Sequence, residues 1–252
     1  MFLTSNNESV LFENLEVIGL KDEIKNNNVL IKINLSGTYQ KNLPRTDIPL
    51  LKLVVEYIYQ NSGRCVITEG AGGHLTENLI ASGFEDILKY YNVKVIDVDT
   101  EECDEVESHG ECHHIPKCFQ EYPVRIAFPS TSKRKDMLYS NNIKLFFGAV
   151  PRKMYQQDYT DTNAPLVPRP KLHQNLHLSV ANVFHAINKH SAFKFYINGG
   201  LSYNENKGEF IFADTFVGND ALELDLYLFE NYFSDCDYPE YLNIIKSRLH
   251  RQ

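Results

Sequence analysis

The seven residues Val29-Leu-Ile-Lys-Ile-Asn-Leu35 constrain the fold of this chain more than any others. Apolar side chains at both odd and even positions mean that neither face of an extended segment meets water. That is the pattern of a strand inside a parallel sheet covered by helices on both sides. Ser36 and Gly37 end it. A strand of this kind needs crossover helices, and the following residues supply them. Pro44-Arg-Thr-Asp47 leads into Ile48 to Gln60, where Leu51, Val54, Val55 and Ile58 recur at helical spacing and Thr46 or Asp47 can cap the first amides. Arg64 to Gly70 reads as a second strand, Thr76 to Ser82 as a short helix closed by Gly83, and Val93 to Thr100 as a third strand. Strand and helix alternating in this way predict an α/β fold with a largely parallel central sheet and helices on both faces. With 252 residues, no internal repeat and no linker-like stretch, the expectation is a single domain over residues 1–252.

The alternation then breaks. Residues 101–120 crowd Glu, Asp, His and Cys together and read as a long acidic loop. Tyr122 to Phe128 resumes as a strand, while Ile143 to Val150 is an apolar run that suits helix or strand. Residues 155–172 hold Pro165, Pro168 and Pro170, with Pro151 just before, and read as an irregular excursion. His173 to Lys189 predicts a helix with Leu176, Val180, Val183, Phe184 and Ile187 on one stripe. Phe193 to Ile197 and Glu209 to Ala213 read as strands joined by a turn-rich segment, Asp220 caps a helix through Phe233, and Pro239 opens a last helix to Leu249.

Charge narrows the partners. There are 25 Lys and Arg against 33 Asp and Glu, a formal net charge of -8, which is the wrong sign for a protein that holds a phosphate backbone. A small anion held by a local basic patch is still compatible with that balance. The opening MFLTSNNESV has neither a basic nor an apolar signal region, and no window approaches 18 uninterrupted apolar residues, so a cytoplasmic protein without a membrane span is expected. Its five cysteines are then expected to be free thiols.

Five groups of residues carry candidate chemistry. The turn Glu69-Gly70-Ala-Gly72-Gly73-His74 lies between a strand and a helix start, with Asp97 and Asp99 ending the next strand. Glycine turns of this shape, paired with an acidic residue, hold S-adenosylmethionine or a nucleotide, and these are the cofactors the turn suggests. Lys32, with Asn34, sits near the carboxyl end of the apolar strand, where α/β sheets bind ligands and where a buried ammonium needs a partner. Lys144 falls in a basic stretch with Lys133, Arg134, Lys135, Arg152 and Lys153, suited to a carboxylate or phosphate. Cys103, Cys112, His113, His114 and Cys118 put thiols and imidazoles suited to Zn or Fe within sixteen residues, although their spacing matches no familiar zinc motif. Among the late acidic residues, Asp220 suits a helix cap, and Asp225 suits a base or a group that orients a lysine.

Val29 to Leu35, the Thr46 helix start, the strand ending Glu69-Gly70, Lys144-Leu-Phe-Phe-Gly-Ala-Val150 and Gly218-Asn-Asp-Ala-Leu-Glu-Leu-Asp225 occur in an order that resembles the family called domain of unknown function 362, over about residues 29–230. Ile33 stands where that family has a proline, Leu145 where it has an asparagine, and Asn198-Gly199-Gly200 where it tends to an acidic residue. The ferredoxin-like module of many relatives, with its closely spaced cysteines, has no counterpart in these residues. The resemblance implies the α/β fold and assigns no reaction. Residues and resemblance together lead to the expectation of an enzyme acting on a small anionic metabolite, by group transfer ahead of redox. Lys32, Lys144 and Asp225 are its candidate catalytic residues, and Glu69, Gly70, Gly72, Gly73, Asp97 and Asp99 its candidate cofactor contacts. A metal-binding or iron-sulfur accessory protein built on Cys103 to Cys118, and a noncatalytic small-ligand module, are the alternatives.

Overall fold

The computed structural model describes residues 1–35, 46–133, 139–155, 169–199, 203–204, 209–210 and 214–249. The first elements are β1 (Phe2–Ser5), α1 (Glu8–Val17), α2 (Leu20–Ile24), β2 (Asn28–Ile33), α3 (Ile48–Gln60), β3 (Arg64–Glu69), α4 (Leu75–Ala81), α5 (Glu85–Tyr90) and β4 (Lys94–Asp97). There follow β5 (Cys103–Ser108), β6 (Glu111–Pro116), α6 (Cys118–Glu121), β7 (Val124–Phe128), β8 (Ser132–Lys133) and α7 (Asn142–Leu145), then 3-10 turns at Phe146–Ala149 and Arg152–Tyr155. The last are α8 (Pro170–His173), α9 (Leu176–Ser191), β9 (Phe195–Gly199), β10 (Tyr203–Asn204), β11 (Glu209–Phe210), β12 (Thr215–Gly218), α10 (Ala221–Tyr232) and α11 (Glu240–Leu249). Among the described residues no helix is long and apolar enough to cross a membrane.

The main sheet runs β1-β12-β9-β7-β2-β3-β4. Every pairing from β9 to β4 is parallel, and β12 and β1 add an antiparallel edge. Each face of the sheet carries its own core. On one, Val29, Ile31 and Ile33 of β2 pack with residues of α1 to α5. On the other, Leu30 packs in a core shared with α7, α9, α10 and α11. The continuous apolar pattern of β2 therefore has the meaning expected of it, an α/β architecture with helices on both faces.

Several segments differ from their sequence reading. Residues 101–120 are no loop: β5 and β6 form an antiparallel hairpin, with Ser108 opposite Glu111 across a two-residue turn. His109 and Gly110 both have positive φ, 52° and 79°, the conformation that lets a two-residue turn follow the strand twist. The acidic residues concealed a period of two, in which Val106, Ser108, His113 and Ile115 are buried while Glu105, Glu107 and Cys112 are exposed. The helix expected from His173 begins instead at Leu176, capped by the Asn175 side chain on the Leu178 amide, after the separate short turn α8. The antiparallel partner of β9 is Thr215–Gly218; Glu209–Phe210 pairs with Tyr203–Asn204 in a small second sheet. The run from Ile143 to Val150 divides between α7 and a 3-10 turn, and of the proline-rich excursion residues 156–168 lie outside the described residues.

Candidate functional site

Chain order reverses at β2. From it the chain steps outward to β3 and β4, then returns to place β7 on its other side. A crevice opens at the carboxyl ends of strands flanking such a reversal. Thr46 bridges them here: its hydroxyl donates to the Phe128 carbonyl ending β7 (2.7 Å) and accepts the Asn34 amide just beyond β2 (2.9 Å). Asp47 then caps α3 by accepting the Leu50 amide at 2.7 Å.

Lys32 lies next to this reversal, fully buried. Its Nζ is 3.0 Å from Glu69 Oε1 at the end of β3 and donates to the Ile33 carbonyl at 2.7 Å. Burial pulls the lysine pKa down, and the Glu69 carboxylate works against that fall. Glu69 is fixed in turn by the amides of Gly70 (2.8 Å, to Oε1) and Leu35 (3.3 Å, to Oε2). The glycine of Lys144-Leu-Phe-Phe-Gly-Ala-Val150 closes over the pair, since a Cβ on Gly148 would stand 3.2 Å from Glu69 Oε1 and 3.6 Å from Lys32 Nζ. That segment approaches the ion pair through backbone, which is why a glycine occupies the position.

The glycine turn has its amides engaged from within. Besides Gly70 on Glu69, Ala71 and Gly73 donate to the two carboxylate oxygens of Asp97 (3.0 and 2.7 Å), and Gly72 donates to Asp99 (2.8 Å). The candidate cofactor residues Glu69, Gly70, Gly72, Gly73, Asp97 and Asp99 are thus brought together, but as one internally bonded unit. Asp99 also receives the Arg152 amide (2.6 Å) and side chain (2.7 Å from Nε). Burial would raise its pKa, and the Arg152 guanidinium and hydrogen bonds hold it below the usual carboxylate value. Arg169, which the sequence reading passed over inside its proline-rich excursion, donates Nε and Nη2 to the Val150 carbonyl (3.0 and 2.8 Å). It acts electrostatically on Asp99, Arg152, Glu69 and Lys32.

Asp225 is placed differently. Fully buried in α10, its carboxylate accepts the amides of Asn142 and Ile143 (both 3.1 Å) and the Asn142 side chain (2.9 Å). It caps the start of α7, the element that carries half-exposed Lys144. Burial pushes the Asp225 pKa up to about 7, against the pull of those hydrogen bonds. Around it Thr131, Tyr139, Asn141, Asn142 and Asn198 form a buried polar network tying β9 to α7. Sequence reasoning missed these asparagines, whose signal was uncharged polarity within apolar surroundings. Asp220, as expected, caps α10 through the Leu222 and Glu223 amides.

The cysteine and histidine set lies on the hairpin. Cys103 and Cys118 are near its open end, whereas Cys112 is opposite Glu107 beside the turn, about 14 Å of strand away. Cys112, His113 and His114 are consecutive on a strand and alternate between its faces. Among the described residues no three His, Cys, Asp or Glu side chains come together in a group that could hold a metal ion. Of the basic stretch, Lys133 and Arg152 are buried, and residues 134–138 lie outside the described residues.

No curated protein matches this chain. Among solved structures, the lactate racemase apoprotein from Thermoanaerobacterium thermosaccharolyticum is similar to it with a TM-score of 0.48 and 15% sequence identity, over 81% of this chain and 49% of that one. The chain therefore spans about half the length of that structure. The profile of the family described as Domain of unknown function (DUF362) matches residues 29–230, from the first residues of β2 to the last turns of α10. Most of the sheet and the Lys32–Glu69 crevice lie inside this span, and the chain belongs to that family.

Proposed function

We propose that this chain is an enzyme acting on a small anionic metabolite in the crevice at the carboxyl ends of β2, β3 and β7. The observation that carries the reading is Lys32, an ammonium wholly buried at the reversal of strand order and held by one carboxylate. Lys32, Arg152 and Arg169 gather around the carboxylates Glu69 and Asp99, and a small anion is the ligand that such a group of cations suits. The side-chain cations hold it, because the amides from Gly70 to Gly73 are already donated to Glu69, Asp97 and Asp99. The turn then serves as a rigid wall of the crevice and not as a phosphate cradle. Group transfer is the reaction class we assign; with the glycine amides taken, a donor such as S-adenosylmethionine or a nucleotide has to be held by side chains and not by the turn. In this reading Asp225 positions α7, the element that carries Lys144.

The test is thermal unfolding of the protein across a panel of monophosphates, carboxylates and candidate donors, followed by mass spectrometry of turnover mixtures. A bound anion at a hundred times its Kd adds about 2.7 kcal/mol, which in a chain of this size raises Tm by roughly 5–10 °C. The double variant Lys32→Met/Glu69→Gln is expected to lose the shift. An equal shift in that variant would place the anion elsewhere, and binding without turnover by any donor would leave a binding module.

A further inference from the structure

A cavity lies beside the hairpin. It encloses about 390 Å³ between β6, the turn Arg152–Tyr155 and the stretch from α8 into α9. Small-molecule sites begin at about 300 Å³. Three features of its wall point to an occupant.

His113 lines it, 1% exposed, with neither ring nitrogen hydrogen-bonded. The nearest carboxylate oxygen, Glu111 Oε2, is 3.6 Å from Nε2, beyond hydrogen-bond length. Burial lowers the His113 pKa, so the ring is neutral, with one N–H to give and one lone pair to receive. Leaving such a group unmatched is unfavourable, and a ligand removes that cost. Tyr155 is the second feature: its hydroxyl accepts the His114 amide at 2.9 Å, and its own O–H has no acceptor among the described residues. The third is the start of α9, sixteen residues long, where the Asn175 side chain takes the Leu178 amide and the positive end of the helix favours an anion.

Charge selects the class of ligand. Lys171 is the cation of the wall and Glu111 its carboxylate, so the wall is neutral overall while presenting both signs. A dianion such as a phosphate monoester would be poorly matched there; Glu111 Oε2 accepts the Asn182 side-chain amide at 2.7 Å and Arg248 acts on it electrostatically, so a ligand ammonium shares this carboxylate with them. Leu172 and Met154 add an apolar surface. We propose that this cavity binds a free α-amino acid, with its carboxylate at Lys171 and the start of α9, its ammonium at Glu111, and its side chain against Leu172 and Met154. His113 and Tyr155 complete its hydrogen bonds. This site does not depend on the reading of the Lys32 crevice.

Calorimetric titration with the common amino acids, their deaminated and decarboxylated analogues, and inorganic phosphate tests the assignment. At ~10 mM ligand even a Kd of about 1 mM fills the site. At least one amino acid is expected to bind, to move the His113 ring ¹⁵N resonances, and to bind better than either single-charge analogue. Lys171 is exposed, so Lys171→Ala should fold, and it is expected to weaken binding roughly tenfold, about 1.4 kcal/mol, as is Glu111→Gln. Lys32→Met/Glu69→Gln should bind as the wild type does. The proposal is overturned if no amino acid binds, if phosphate or a single-charge analogue binds as well, or if Lys171→Ala leaves affinity unchanged.

Discussion

Gly148 and Glu69 stand so close that a methyl group on the glycine would come within 3.2 Å of the carboxylate oxygen that holds Lys32. The same methyl group would be 3.6 Å from the lysine Nζ. Gly148→Ala therefore has to push one member of a buried ion pair aside. We expect a loss of about 1–2 kcal/mol, the range of mild overpacking, read as a lower urea midpoint with unchanged slope. Any ligand of the crevice should bind more weakly to this variant.

Removing only one partner of that pair should cost more. Lys32→Met removes the cation in contact with buried Glu69, and breaking a buried pair in this way typically costs about 3–5 kcal/mol. The double variant Lys32→Met/Glu69→Gln removes both charges and is expected to recover part of the loss. Chemical denaturation of the three proteins measures it. If the single and double variants were equally destabilised, the lysine would matter for its bulk and not for its charge.

Asp225 makes stability depend on pH with a definite sign. Its folded pKa of about 7 lies above the ordinary 3.8, so between these values the folded state holds a proton that the unfolded state has released. The stabilisation due to this group is full below about pH 4 and is lost as pH rises through about 7. The stability difference between wild type and Asp225→Asn should accordingly shrink from pH 4 to pH 7.5 in denaturant titrations. A difference that grew with pH would mean that capping of the Asn142 and Ile143 amides outweighs burial and keeps the carboxylate ionised.

Gly199 ends β9 with φ +126°, and an added Cβ would lie 2.1 Å from the Asp214 carbonyl oxygen. No rotamer relieves a backbone clash. Gly199→Ala should cost more than 3 kcal/mol, at the far end of single-substitution effects, and separate β9 from β12. A fall in soluble yield and in Tm reads it out. Gly110→Ala, at φ +79° with open space around it, should cost only about 1 kcal/mol.

How far the fold can be read from the sequence varies by element. β2 announced itself because burial on both faces leaves Lys32 as the one polar position between Val29 and Ile33, and α3 because its apolar stripe is regular. The hairpin of β5 and β6 did not, since one face is acidic and the other only partly apolar; its clearest signal was the His109-Gly110 turn. The strand Phe2–Ser5 is too short to stand out, and it is defined by a partner more than two hundred residues away. Of the candidate site, Lys32, Glu69, Asp97 and Asp99 could be named from their places at strand ends. What could not be seen was that the two aspartates point inward to hold the glycine amides, because hydrogen-bond partners across a turn leave no periodic trace. The role of Asp225 as a cap on a four-residue helix was equally invisible, since the amides it receives are 82 and 83 positions away.

The antiparallel edge of the sheet has a consequence for how the chain assembles. Phe2 to Ser5 pair with Thr215 to Gly218, and the Met1 ammonium reaches Glu223 on α10. The strand Phe2–Ser5 thus finds no strand partner until residue 218 has left the ribosome. The parallel part, β2 with β3 and β4, involves far shorter separations and can order first. Closing the β1 edge then completes the sheet late in folding, after β2, β3 and β4 have ordered.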